Sequence, residues 1–172
     1  MNFSPRRALL LLAALTTTAA VAPAQPTRGA QRLFTQFRGP GMSLDVINGG
    51  PEDNQLQLAA TGNFTGQQWT MQPLPGGFVS LTTAFRGPQM CLDVVNGGAR
   101  NNQVELRPCG NFTGQQWRLQ RLPQGTYRLT TAFRGPRMCL DVVNGGPRDN
   151  HAELRRCGNF TGQFWSIVPY TP

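Results

Sequence analysis

The chain has no lysine, a single histidine, and no cysteine before residue 91. One histidine cannot be paired with a repeated nucleophile, and neither a metal-ligand cluster nor a phosphate-binding loop accompanies it, which argues against an enzyme. Cysteines at CxxC spacing are missing, so a zinc site is discounted and no cofactor is expected. No run of more than two adjacent basic residues occurs, so nucleic acid is not an expected partner. After residue 24 there is no long apolar run, which leaves membrane insertion without a segment to perform it. Helical periodicity is absent too, and with it any expectation of helices.

Residues 1–24 carry a basic start, Arg6-Arg7, an apolar stretch from Ala8 to Ala14, and the small-residue site Ala22-Pro23-Ala24. This reads as a secretory signal peptide. Export by the Sec or the twin-arginine route stays open, although Pro5 and Ala8 fit the latter weakly. Residues 25–29 form a linker, and 30–172 remain for one domain in an extracellular or periplasmic setting. Setting aside Arg6 and Arg7 leaves 14 arginines against 8 acids, 14 − 8 = +6. Such a surface either attracts polyanions outside the cell or simply keeps a secreted protein soluble.

Against these absences stands a threefold repetition. Phe37-Arg38-Gly39-Pro40 recurs at Phe85 and Phe133, Leu44-Asp45-Val46 at Leu92 and Leu140, and Trp69 at Trp117 and Trp165, always 48 residues apart. Repetition at fixed spacing marks one supersecondary unit that buries its apolar face only against its siblings. Three copies favour a closed threefold object over an open solenoid. The copies span about 30–77, 78–125 and 126–172. In the second, residues 78–84, 90–94, 103–107 and 115–119 alternate apolar and polar, separated by Gly, Pro and Asn turns such as Asn96-Gly97-Gly98. Four short strands per copy predict an all-β fold, a β-trefoil of three 48-residue repeats.

Cys91 and Cys109 occupy copy two, and Cys139 and Cys157 copy three; copy one has Ser43 and Thr61 there instead. Three pairings are possible, and only bonding within each repeat explains the joint loss. Each bridge would contribute about 3 kcal/mol on the chain-entropy model.

Cys-Leu-Asp-Val, then Val-Glu-Leu, then Cys, then Gln-x-Trp resembles the ricin B-type lectin domain, a β-trefoil sugar binder. The triplets are Gln67-Gln68-Trp69, Gln115-Gln116-Trp117 and Gln163-Phe164-Trp165. The resemblance implies one shallow pocket per repeat, in which Asp45, Asp93 or Asp141 accepts hydrogen bonds from sugar hydroxyls. Gln57, Glu105 and Glu153 on the third strand would join them, and Gln67, Gln115 and Gln163 would complete the set or tie the fourth strand to its loop. The carboxylates would otherwise fix loop backbone amides. Each Trp reads as core.

The chain departs from that pattern at two positions. The stacking aromatic is replaced by Ala59, Arg107 and Arg155, and the Asn before Gln-x-Trp by Gly66, Gly114 and Gly162. Arg107 and Arg155 would either dock the carboxylate or sulfate of an acidic sugar or pair with the site's own Asp. Phe64, Phe112 and Phe160 would either supply the missing aromatic or plug the core. His151, which aligns with Gln55 and Gln103, reads as a solvent-facing strand residue. The Asn-Phe-Thr sequons at Asn63, Asn111 and Asn159 recur with the repeat and carry no independent message.

The expected function is therefore non-catalytic binding of carbohydrate or glycoconjugate at up to three shallow, equivalent sites. Asp93 and Glu105 would suit glycoside hydrolysis, but catalysis asks for one deep cleft. The competing reading is a trefoil scaffold that docks onto or inhibits a protein. The sequence leaves the sugar and the oligomeric state open.

Overall fold

A computed structural model of the chain describes residues 29–172; the signal-peptide expectation for 1–24 and most of the 25–29 linker lie outside the described residues. Twelve short strands follow in order: β1 Gln31–Thr35, β2 Met42–Val46, β3 Leu56–Ala60, β4 Trp69–Leu74, β5 Phe78–Thr83, β6 Gly87–Val94, β7 Val104–Pro108, β8 Trp117–Arg121, β9 Tyr127–Thr131, β10 Gly135–Val142, β11 Ala152–Arg156 and β12 Trp165–Pro169. Antiparallel pairing runs β1–β4, β4–β5, β5–β8, β8–β9, β9–β12 and back to β1. Six strands thus close into a barrel, which leaves that ring no open edge. Hairpins β2–β3, β6–β7 and β10–β11 cap one end. This is the β-trefoil that the 48-residue period predicts.

The three hairpins meet at the pseudo-threefold axis through one repeated bond. Leu58 N–H donates to Asn150 O, Leu106 N–H to Asn54 O, and Leu154 N–H to Asn102 O, at 2.8–2.9 Å. Asn54, Asn102 and Asn150 have φ of 68–71°, a left-handed conformation that asparagine tolerates better than most residues. Trp69, Trp117 and Trp165 are fully buried with the strand leucines. Each indole N–H donates to a second-strand carbonyl, Leu44 O, Leu92 O or Leu140 O, at 2.8–2.9 Å. The tryptophans are core residues, as their alternation with polar neighbours implies.

The fourth strands start at the Trp rather than two residues earlier. Gln67, Gln115 and Gln163 close short 3-10 turns, because their amides fold back onto the loop. Cys91 bonds Cys109 and Cys139 bonds Cys157. In repeat 1 the Ser43 and Thr61 hydroxyls hydrogen-bond at 2.7 Å in the corresponding place.

Arginine from each Phe-Arg-Gly-Pro turn links neighbouring repeats. Arg38 stacks on Phe37 and binds Asp149, Arg86 stacks on Phe85 and binds Asp53, and Arg134 stacks on Phe133 and binds Asn101. The Gly145 N–H, and then the Arg38 guanidinium, hold the Asp149 carboxyl below its ordinary value of 3.8. A lowered folded-state pKa stabilises the protein above the unfolded value, and that contribution is lost as pH falls through the folded one. D149N, which imitates Asn101, should therefore flatten the acid limb of a Tm-versus-pH curve below about pH 4. An acid limb identical to wild type would remove this seam from the account.

Candidate functional site

Asp45, Asp93 and Asp141 each sit one residue before the end of a second strand, where a Thr-Gly-Gln turn folds over them. Each Oδ1 accepts the next residue's N–H at 2.7–2.8 Å, and each Oδ2 accepts the amide of Gln67, Gln115 or Gln163 at 2.9–3.0 Å. These Gln amides also donate to Ala60 O, Pro108 O and Arg156 O, while their oxygens accept from Gly62, Gly110 and Gly158 N–H. Buried and bonded at both ends, the glutamines orient the carboxylates. The acids are less open than their strand position suggests, Asp93 and Asp141 being 8% and 6% exposed. The turn that covers them explains Gly66, Gly114 and Gly162. A methyl group built on any of these glycines would overlap the Asp Oδ1, so no side chain fits there.

A hollow of about 330 Å³ nevertheless opens beside Asp141. Asp141, Asn144, Arg155, Asn159 and Phe160 line it, and Phe37 reaches in from repeat 1. Phe37 is held there by its N–H bond to Thr161 O at 3.2 Å, and Phe85 and Phe133 make the same bond to Thr65 and Thr113. Each equivalent position is therefore a seam between two repeats. Asn144 and Phe37 read from the sequence only as turn residues. Their strict recurrence was the available signal, but nothing in one repeat reveals that its Phe serves its neighbour.

Phe64, Phe112 and Phe160 lie on the surface, 56–60% exposed, which removes the core-plug alternative. Each ring packs so closely over Gly62, Gly110 or Gly158 that a Cβ would collide with it. The rings are thus presented to solvent beside the loop glycines.

Gln57, Glu105 and Glu153 stand across from Asp45, Asp93 and Asp141 in register, yet they gather where the hairpins meet at the axis. Glu105 accepts from Arg100 and from Arg107 Nε at 2.5 Å, and Glu153 from Arg155 Nε at 2.7 Å. The arginines pair with glutamate two residues back on their own strand, not with the site aspartate. Side chains two apart share a strand face, which makes this the shorter reach. Arg107 and Arg155 remain about half exposed. Repeat 1 has Ala59 there, and its Asn63 accepts the Tyr170 hydroxyl. His151 is buried at 6% exposure, its Nε2 3.2 Å from Glu52 of repeat 1. The expectation of a solvent-facing histidine is corrected: β11 enters at the crowded axis, where a strand residue meets another repeat instead of water. Among the described residues no group of three or more His, Cys, Asp or Glu is placed to hold a metal.

A family model described as ricin-type beta-trefoil lectin domain-like matches residues 65–156. The chain belongs to that family. Carbohydrate binding is the property its lectin-like members share, and the turn that orients Asp93 lies inside the matched span. Solved structures agree on the fold of this ricin-type domain. The designed threefold symmetric protein ThreeFoil matches at 26% identity and TM-score 0.70, over 83% of this chain and 99% of that one. An exo-beta-1,3-galactanase from Clostridium thermocellum matches at 21% identity and TM-score 0.68, over 84% of this chain but 31% of the longer enzyme. The BEL beta-trefoil matches at 14% identity and TM-score 0.64, over 85% and 97%. No curated protein matches the ricin-type chain by sequence.

Proposed function

We propose that this is a secreted, non-catalytic lectin-like protein whose three seams bind carbohydrate, with a preference for acidic glycans. The observation that carries the reading is the hollow beside Asp141, where an oriented carboxylate, two asparagine amides, an arginine and an exposed phenylalanine converge. Asp141 accepts sugar hydroxyls, and charge-assisted bonds of this kind exceed neutral ones. Phe160 stacks on the sugar's apolar face in place of the third-strand aromatic that Arg155 replaces. Only the Nε of Arg155 is bonded to Glu153, so its outer nitrogens are available to a ligand carboxylate or sulfate. Repeat 1, with Ala59 and an occupied Asn63, binds weakest. Two disulfides fit an oxidising compartment. Several shallow sites on one rigid body favour avidity on a dense glycan.

A glycan array comparing wild type with D93A/D141A tests the reading. Loss of one charge-assisted contact per site, about 1.5–3 kcal/mol, should lower binding at least roughly tenfold. Binding that survives the double change would move the function to protein docking. Acidic-glycan binding should also weaken as salt rises toward ~0.5 M, because half-exposed arginines are screened. Salt-insensitive binding to a neutral sugar would contradict the acidic preference.

A further inference from the structure

A further difference among the three repeats lies outside the Asp141 hollow. Arg32 Nη2 donates to Gly62 O at 2.9 Å, and Arg128 Nη2 to Gly158 O at 2.6 Å. Each arginine lies along a seam and faces an aromatic ring, Tyr170 for Arg32 and Phe164 for Arg128. The equivalent residue in repeat 2 is Ser80, too short to make that reach. Gly110 is exposed, whereas Gly62 and Gly158 are half-buried beneath their arginines, and Gly110 O has no protein donor among the described residues. A hollow of about 320 Å³ opens where the side chain is missing, lined by Leu74, Ser80, Gly110, Asn111 and Gln116. A second, of about 370 Å³, continues past the Cys91–Cys109 bridge toward Thr70 and Gln72. Together they form a groove along the seam between repeats 1 and 2.

The chemistry of that groove is uncharged throughout. It offers a hydroxyl, side-chain amides and a free carbonyl above the apolar floor of Leu74 and Pro75. A cation would find no carboxylate, and Leu74 and Gln116 stand where the siblings have Tyr170 and Phe164, so the stacking partner is gone as well. Hydroxyls of a neutral sugar match both the donors and the acceptors. Asn111 lies on the groove, and its counterpart Asn159 lines the Asp141 hollow. By the equivalence of the repeats, a ligand held at Asp93 would have Asn111 beside it and the groove beyond.

We propose that repeat 2 carries an extended subsite for a neutral sugar unit, which makes it the repeat selective for oligosaccharides over single sugars. The proposal rests on the sugar reading of the Asp93 position, with an acidic unit at Asp93 and its neutral neighbour in the groove. The test uses D45A/D141A protein, in which only repeat 2 keeps its aspartate. Calorimetry is run with free glucuronic acid and with a hyaluronan disaccharide, which joins a uronic acid to an N-acetylated neutral sugar. The disaccharide should bind roughly tenfold tighter, as two or three added hydrogen bonds imply. S80R installs the residue that both siblings carry at this position. It should erase the gain and leave glucuronic acid affinity unchanged. Conversely, R128S in D45A/D93A protein should create the gain in repeat 3. A gain that is absent, that persists in S80R, or that R128S fails to create, overturns the groove. Absence of binding by either sugar in the D45A/D141A protein itself overturns the sugar reading, and the groove with it.

Discussion

Replacing Trp117 with alanine should lower the unfolding free energy by about 3–5 kcal/mol, the range for removing a large buried aromatic. Trp117 has no exposed surface. It opens β8, pairs in register with Thr131 and bridges to Val79 of β5. Its side chain thus fills the space where two repeats join. The substitution leaves a void that a closed barrel cannot collapse, since each strand is held on both sides. It also strands Leu92 O, which accepts the indole N–H at 2.8 Å. W117F separates the two effects by restoring most of the volume while leaving the carbonyl unpaired, a penalty of about 1–3 kcal/mol. Urea unfolding measures both. W69A and W165A should behave alike, because the same bond and the same burial recur. A loss below about 1 kcal/mol in any of the three would contradict a shared core.

Removing one disulfide is the second large effect, and repeat 1 supplies the natural replacement. C139S/C157T copies Ser43 and Thr61, which meet through a hydrogen bond. The expected loss is about 3 kcal/mol, seen as a fall in Tm of roughly 6–12 °C for a domain of this size. The bridge also has a local consequence. Cys139 lies two residues before Asp141, and Cys157 immediately precedes Gly158, Asn159 and Phe160. It ties the strand bearing the carboxylate to the loop bearing the amide and the ring. Binding at repeat 3 should weaken in the variant even at temperatures where the protein stays folded. Unchanged affinity would mean that the loop is held by Gln163 alone.

Much of this was legible residue by residue. A gapless 48-residue period requires three equivalent lobes, and Asn-Gly-Gly turns mark where strands reverse. The joint absence of two cysteines from repeat 1 named their partners. Tryptophan alternating with polar neighbours read as core and is core. The Gln of each Gln-x-Trp allowed two roles, and its buried amide has the loop-tying one. What stayed hidden involves groups far apart in sequence. Phe37 completes a hollow with Asp141, and His151 meets Glu52, because the last repeat closes against the first.

Sequence alone determined the number of lobes, the strand pattern within each and the disulfide partners, since these follow from periodicity and local turn chemistry. Tertiary structure decided how exposed each aspartate is, which acids the turn arginines Arg38 and Arg86 reach, and which seam Ser80 leaves open. Those outcomes depend on distances between chain segments 22 to 111 residues apart. Such distances are set only when the barrel closes and neighbouring repeats compete for the same space.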